Sequence, residues 1–175
     1  MNTRDKFSYS ESRFKQTVDF IENVSGVVLD IGERNDLSNY IEQYLDITII
    51  NTKSDLNYLI KYNYPIRKFN VVFCFEVIEH LLNPLLFFDN LYETTFQDVH
   101  IFLSYPSRPK WLWNNDEHFH EYDRLRFNYL LKKTGFKIIR EKSIYVKRKP
   151  VGIRPLIRNF IPQTRIYEII KRKEK

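Results

Sequence analysis

The stretch NVVFCFEVIEHLLNP, residues 70–84, contains a complete transition from a strand to a helix. Its first six residues form an almost unbroken apolar run, which is typical of a strand buried on both faces of a sheet. Asn83 and Pro84 then indicate a helix start, because Asn caps a helix and Pro suits its first turn. Glu76, Glu79 and His80 lie between them, so titratable side chains follow the carboxyl end of a buried strand.

Strand and helix patterns alternate on both sides of this stretch. Apolar runs predict further strands at 27–31, 47–50, 99–104 and 136–145, with helices at 10–25, 37–45, 83–92 and 123–134. Such alternation predicts an α/β fold with a doubly wound, mostly parallel sheet and flanking helices. The interval 51–70 is too short for the usual helix and strand, so we expect one trimmed βα unit.

Composition excludes several classes of protein. The chain has 175 residues, of which 43% are hydrophobic, enough for the core of one ordinary domain. A single cysteine, Cys74, excludes an internal disulfide framework and a cysteine-based zinc cluster. No apolar run approaches the ~20 residues that cross a bilayer. Residues 1–12 are polar and lack the features of a secretory signal, so we expect a cytoplasmic protein.

Basic charge is concentrated near the carboxyl terminus. Residues 147–175 hold ten Lys or Arg against two Asp or Glu, and their apolar residues recur at helical spacing. We therefore predict an α/β domain over 1–146 and a basic amphipathic tail over 147–175. Such a tail lies on an anionic membrane surface, here the inner face, or packs on the domain. A nucleic-acid partner is disfavoured, because no recognition motif accompanies the charge.

Polar residues follow the predicted strands at the edge where parallel sheets bind ligands. They are Asp30, Gly32, Arg34 and Asp36 after the first strand; Asn51 and Asp55 after the second; Glu76, Glu79 and His80 after the third; and His118, His120, Glu121 and Tyr122 after the fourth.

Taken in this order, these motifs resemble class I S-adenosylmethionine (SAM)-dependent methyltransferases, especially a small bacterial group found among cell-surface glycan genes. That group shows D-x-G-x-G-x-G after the first strand, E-V-x-E-H-L-x-(D/N)-P after the third, and H-x-x-(E)-(F/Y) ahead of a final G-F. Residues 70–84 fit the middle block, and His118, Glu121, Tyr122, Gly135 and Phe136 fit the last. The resemblance covers residues 14–145.

The resemblance implies a trimmed Rossmann-like fold, SAM as the cofactor and methyl transfer to a hydroxyl of a small molecule or cell-surface glycan. It implies that Asp30, Gly32, Arg34, Asn51, Asp55 and Glu76 bind SAM. It also implies that Glu76, His80 and His118 line the transfer site. A neutral imidazole there is a candidate general base, because it titrates close to working pH.

The first loop departs from the family pattern. Arg34 and Asp36 stand where the second and third glycines are expected, and Asn51 replaces an acidic residue. We expect Asp36 to repel the methionine carboxylate of SAM and Arg34 to pair with it. These changes also favour an alternative, in which the fold has lost SAM binding and acts as a binding or membrane-docking module.

His118 and His120 have the spacing of a weak metal motif. Two ligands on one extended segment need a third from elsewhere, so we predict no metal site. A general base or a polar loop anchor remains for these residues. Trp111 and Trp113 lie on the same predicted loop, where they stack on a sugar ring or form a lid.

Overall fold

A computed structural model of the protein describes residues 3–52, 69–107, 118–146 and 161–173, with side chains from Ser10 onward. Its helices are α1 (Thr3–Phe20), α2 (Asp36–Leu45), α3 (Pro84–Thr94) and α4 (Arg124–Lys133), with a 3₁₀ turn at Ile78–His80. Its strands are β1 (Val27–Asp30), β2 (Thr48–Asn51), β3 (Val71–Phe75), β4 (His100–Pro106), β5 (Phe136–Ile144) and β6 (Thr164–Lys171).

The described strands form one sheet in the order β2-β1-β3-β4-β6-β5. The first four are parallel, with Leu29 opposite Val72 and Phe73 opposite Phe102. Their carboxyl ends therefore meet at one edge, the place where ligands bind in such sheets. The predicted α/β, mostly parallel sheet is confirmed. The trimmed βα unit was predicted for residues that lie mostly outside the described ranges.

Apolar side chains cover both faces of the sheet. On one face Val72 and Leu103 pack among Phe88 of α3 and Phe127 of α4, all fully buried. On the other face, the strands pack against α1 and α2 through a second cluster that includes Ile21, Ile41, Phe73 and Phe102. Helices on both faces make the sheet doubly wound, as the sequence predicts.

Local residues set the helix ends, among them the predicted start of α3 at Asn83 and Pro84. Asn35 caps α2, Asn83 caps α3 with Pro84 in its first turn, and Asp123 caps α4. Gly135 follows α4 with a φ of +84°, a conformation that favours glycine. Among the described residues, none of the helices has the length and apolar character needed to cross a membrane.

The strand β6 corrects the predicted tail. Thr164–Lys171 lies inside the sheet, antiparallel to both β4 and β5, with Ile166, Tyr167 and Ile169 fully buried. A strand that is buried on both faces carries apolar residues at consecutive positions. Ile166, Ile169 and Ile170 of this strand also have the spacing of a helix face, which led to the wrong prediction. The sheet therefore crosses the predicted boundary at 146/147. Residues 147–160 lie outside the described ranges, and membrane contact there stays a prediction.

Candidate functional site

A buried carboxylate ends β1. Asp30 is 5% exposed, and its Oδ2 accepts hydrogen bonds from the Ser38 hydroxyl at 2.7 Å and from Asn51 Nδ2 at 3.0 Å. Burial raises the pKa of Asp30, and the two hydrogen bonds oppose that shift. The structure thus brings together Asp30 and Asn51, two of the predicted cofactor-binding residues.

Gly32 directs the chain out of β1 and ties it to the end of β2. Its N–H donates to Thr52 Oγ1 at 2.9 Å, and its carbonyl accepts from Asn51 Nδ2 at 3.2 Å. Its φ is +130°, and a Cβ added there would meet only Val77 Cγ2, at 3.6 Å. Glycine is therefore required by the backbone conformation rather than by a lack of space.

Asn51 also presents a buried acceptor. Its Oδ1 is shielded from solvent and has no hydrogen-bond partner among the described residues. A buried amide oxygen without a partner is destabilising, so a ligand that donates a hydroxyl proton would stabilise this position. The resemblance to methyltransferases implies that Asn51 binds the cofactor, and that role stays a prediction.

Arg34 contacts side chains and backbone of the same domain. Its Nε donates to Asn39 Oδ1 at 2.7 Å, its Nη1 donates to the Ile49 carbonyl at 3.3 Å, and its Nη2 pairs with Glu42. These contacts join the loop to α2 and β2. These contacts give Arg34 a structural role, and its pairing with a cofactor carboxylate stays a prediction.

The start of α2 is already capped. The Asn35 side chain accepts from the N–H groups of Leu37 and Ser38, so it satisfies helix donors that an anion would otherwise contact. Three further predicted residues cannot be placed: Asp55, Trp111 and Trp113 lie outside the described ranges.

Glu76 lies directly after β3 in a left-handed conformation, with a φ of 55°. Its N–H donates to the Ser104 carbonyl at 3.0 Å, and its Oε1 accepts from the Ser104 hydroxyl at 2.9 Å. Arg13 of α1 lies 3.8 Å from its Oε2. A non-glycine residue in this conformation is uncommon and clusters at functional sites. The contacts hold the Glu76 carboxylate at the carboxyl edge of the sheet.

The 3₁₀ turn after Glu76 lies against the segment that contains His118. The backbone N–H groups of Phe119 and His120 donate to the Glu79 carbonyl at 2.9 and 3.2 Å. As a result, the imidazoles of His80 and His118 lie with their ring centroids 4.8 Å apart at 83°. One potential ligand atom from each of Glu79, His80 and His118 lies within 4.8 Å of the other two. We call these three residues the E79-H80-H118 cluster.

Glu79 is the most buried member of this cluster. It is 1% exposed, and neither carboxylate oxygen has a hydrogen-bond partner within the described part of the chain. Burial, followed by the nearby charge of Glu76, raises the pKa of Glu79 to about 9. The sequence predicts Glu79 only as a polar residue that follows the third strand, with no assigned role. Its place three residues after Glu76, at the strand end, was the available signal.

His120 lies outside the cluster. Its ring packs 5.9 Å from the ring of Tyr122, and its Nε2 is buried without a partner among the described residues. The prediction of no metal site assumed that a His118 and His120 pair would lack a third ligand. The structure instead offers Glu79 and His80 as companions of His118, so that reason does not hold.

The comparisons with known proteins agree with this architecture. A family model described as a methyltransferase domain matches residues 9–141. No curated protein sequence matches the chain.

Several solved structures share the fold. A SAM-dependent methyltransferase from Archaeoglobus fulgidus is 16% identical, with a TM-score of 0.65 and 93% of each chain covered. A second similar structure is the Haloferax volcanii complex between the Trm112 methyltransferase activator and a methyltransferase. The matching chain is 9% identical, with a TM-score of 0.67, and the match covers 97% of the present chain and 94% of the other.

A third similar structure contains two ligands. The Burkholderia thailandensis 1,6-didemethyltoxoflavin-N1-methyltransferase, solved with 1,6-didemethyltoxoflavin and S-adenosylhomocysteine, is 12% identical, with a TM-score of 0.62 and 94% and 84% covered. At these identities the structures show a shared fold. The family model spans most of the chain, and the chain therefore belongs to the methyltransferase-domain family, as the resemblance of its motifs predicted.

Proposed function

We propose that the protein is a SAM-dependent O-methyltransferase whose acceptor hydroxyl binds beside Glu76 and the E79-H80-H118 cluster. Family membership and the SAM-dependent enzymes of the same fold support SAM as the methyl donor. The observation that carries the O-methylation proposal is the cluster itself, which places two imidazoles and a carboxyl group at the carboxyl edge of the sheet.

The residues at the ends of β1 and β2 fit the cofactor. The orphaned Asn51 Oδ1 is an acceptor for a ribose hydroxyl, and Gly32 holds the loop in a conformation that brings backbone rather than a side chain to the ligand. Asp30 orients Asn51 through their hydrogen bond. When bound, SAM supplies an electrophilic methyl group on a sulfonium.

The cluster fits the needs of a hydroxyl acceptor. A neutral hydroxyl is a weak nucleophile, so its transfer reaction requires a group that removes the proton. A neutral imidazole of His80 or His118 takes that proton while the acceptor oxygen forms a bond to the methyl carbon. The electron pair of the broken carbon–sulfur bond stays on sulfur, so the products are a methyl ether, S-adenosylhomocysteine and a proton. Most of the rate enhancement comes from alignment of the oxygen with the methyl group.

The resemblance to bacterial methyltransferases of surface-glycan genes supports a sugar hydroxyl as the acceptor. The alternative of a module without SAM binding is less favoured, because Arg34 is directed to Glu42 and β2. Of the three changes that suggested lost binding, Arg34 therefore leaves Gly32 in place, and Asn51 itself presents a buried acceptor oxygen.

Calorimetric titration of the full chain with SAM and with S-adenosylhomocysteine tests the proposal. We expect dissociation constants of about micromolar strength, and absence of binding at about millimolar ligand would contradict SAM dependence. Transfer of a labelled methyl group to a panel of sugars then tests the acceptor. His118→Asn is expected to keep S-adenosylhomocysteine binding and lose transfer, whereas the matched control His120→Asn keeps both. Equal transfer by the two variants would contradict the role of the cluster.

A further inference from the structure

We propose that Glu79, His80 and His118 bind a divalent transition-metal ion, which in turn coordinates the oxygen of the methyl acceptor. The acceptor part rests on the proposed function, whereas the ion site rests on the geometry of the three side chains. The sequence predicts no metal site, because His118 and His120 are the histidines with close spacing along the chain. In the structure His118 lies beside His80 instead.

The spacing of the ligand atoms fits one ion. One ligand atom from each of the three residues lies within 4.8 Å of the other two. Ligands of a tetrahedral zinc ion, bonded at about 2.0–2.1 Å, lie about 3.3 Å apart. One ion therefore requires the three atoms to come closer together by up to about 1.5 Å. The ring centroids of His80 and His118, 4.8 Å apart, are near the separation of about 5 Å for two imidazoles on one metal.

The burial of Glu79 leaves its carboxyl group without a partner. The side chain is 1% exposed, and neither of its oxygens has a hydrogen-bond partner among the described residues, so a bound cation would satisfy two buried acceptors. Arg13 is the nearby cation, but it approaches Glu76, at 3.8 Å from Oε2. A divalent ion between Glu79 and the imidazoles would give the Glu79 carboxyl oxygens the partner that Arg13 gives Glu76.

The backbone holds the ligands in place before any ion binds. His80 and Glu79 lie on the 3₁₀ turn, and His118 lies next to Phe119 and His120, whose N–H groups donate to the Glu79 carbonyl. Two separate segments are thus joined by main-chain hydrogen bonds at the cluster. Such support reduces the ordering that metal binding would otherwise require.

The ligand types select the class of metal. Two imidazoles with one carboxylate suit zinc, iron, cobalt or manganese better than magnesium, which prefers oxygen ligands. Three protein ligands leave a position open, as in catalytic zinc sites. An acceptor hydroxyl in that position becomes more acidic, because the ion stabilises the developing alkoxide. With the ion bound, both imidazoles would be ligands and the hydroxyl proton would leave to solvent, so the ion would take the place of the imidazole base in the proposed function.

Titration of the full chain with Co²⁺ tests the site. The protein is first treated with a chelator and dialysed, and no SAM is added. We expect visible d–d absorption that saturates at one Co²⁺ per chain and is removed by Zn²⁺. Glu79→Gln and His118→Ala are expected to weaken Co²⁺ binding by about tenfold or more, whereas the matched control His120→Ala keeps it.

Each outcome bears on one proposal at a time. Absence of d–d absorption, or equal binding by wild type and both ligand variants, would overturn the metal site. Retained S-adenosylhomocysteine binding shows that the variants are folded. Co²⁺ binding without S-adenosylhomocysteine binding would support the metal site and overturn the proposed function. Binding of S-adenosylhomocysteine without Co²⁺ binding would overturn the metal site and leave SAM dependence supported.

Discussion

Asn51 donates its side-chain amide to the buried carboxylate of Asp30 at 3.0 Å, and the two residues lie opposite each other in the parallel pair of β1 and β2. The same nitrogen reaches the Gly32 carbonyl at 3.2 Å. One amide therefore joins the end of β2 to both the end of β1 and the loop that follows. This contact couples the stability of the sheet edge to the shape of the candidate cofactor site.

Replacing Asn51 by Leu should lower both the stability of the fold and the affinity for the cofactor product. The substitution removes two hydrogen bonds and leaves the hydrogen bond from the Ser38 hydroxyl to the Asp30 carboxylate. We expect the free energy of unfolding to fall by about 1–3 kcal/mol and the affinity for S-adenosylhomocysteine to fall about tenfold. Urea denaturation and calorimetry measure the two effects. Asn51→Asp, which keeps an acceptor oxygen, should retain more of the affinity. Unchanged values for Asn51→Leu would contradict the assigned role.

The protonation of Asp30 should make stability depend on pH. Because burial raises the pKa of Asp30 in the folded protein, the folded state holds this proton more tightly than the unfolded chain does. The contribution of Asp30 to stability is therefore full at low pH and is lost as the pH rises through the folded pKa. We expect Asp30→Asn to reduce the fall in unfolding free energy between about pH 4 and pH 8, as measured by urea denaturation.

Asp36 provides the control for this experiment. It is an exposed carboxylate in the first turn of α2, only six positions from Asp30. Asp36→Asn removes a carboxylate of the same charge that is not buried, so it should change the slope of unfolding free energy against pH less than Asp30→Asn does. If both variants change the slope equally, the net charge of the protein, rather than the burial of Asp30, controls how its stability depends on pH.

Much of the fold could be predicted because local signals agree with tertiary demands. The apolar runs ending at Asp30 and Phe75, with caps at Asn35 and Asn83, fix the strand-to-helix transitions. The strand β6 was missed for a physical reason. In a strand that is buried on both faces, apolar and polar residues no longer alternate with a period of two. The spacing of Ile166 and Ile169 therefore fits a helix as well as a strand.

The site could be predicted only in part. Position after a strand identified Asp30, Asn51 and Glu76, because parallel strands bring their carboxyl ends together. Sequence position could not show that Arg34 turns toward Glu42, or that His118 rather than His120 meets Glu79. Those outcomes depend on side-chain packing and on backbone hydrogen bonds between segments far apart in the chain.

Gly32 and Gly26 allow a matched test of the loop. Both have positive φ, +130° and +86°, and neither has a neighbour closer than 3.6 Å to an added Cβ. Ala at either position should lower the unfolding free energy by about 1–3 kcal/mol through backbone strain alone. Only Gly32→Ala should also weaken S-adenosylhomocysteine binding, since Gly26 precedes β1 at the opposite edge. If calorimetry shows the same loss of affinity for Gly26→Ala and Gly32→Ala, the loss comes from lower overall stability and not from the loop at Gly32.

Arg34→Ala should affect stability rather than cofactor binding. Its guanidinium joins Glu42, Asn39 and the Ile49 carbonyl, so its removal loosens the contact between α2 and β2. These groups are partly exposed, and we expect a loss of about 0.5–1 kcal/mol with unchanged S-adenosylhomocysteine affinity. A double-mutant cycle with Glu42→Gln measures their coupling. A large loss of affinity instead would restore the predicted pairing of Arg34 with the cofactor carboxylate.

A chain that ends at Val146 should fail to fold. The strand β6 pairs with β4 along His100–Pro106 and with β5 along Phe136–Ile144, so its removal separates β5 from the sheet. It also exposes the core around Tyr167 and Ile169. Circular dichroism should show no cooperative thermal unfolding for this chain. A chain that ends at Lys173, which keeps β6, should unfold cooperatively. Cooperative unfolding of the shorter chain would contradict a structural role for β6, because the first 146 residues would then be a complete domain.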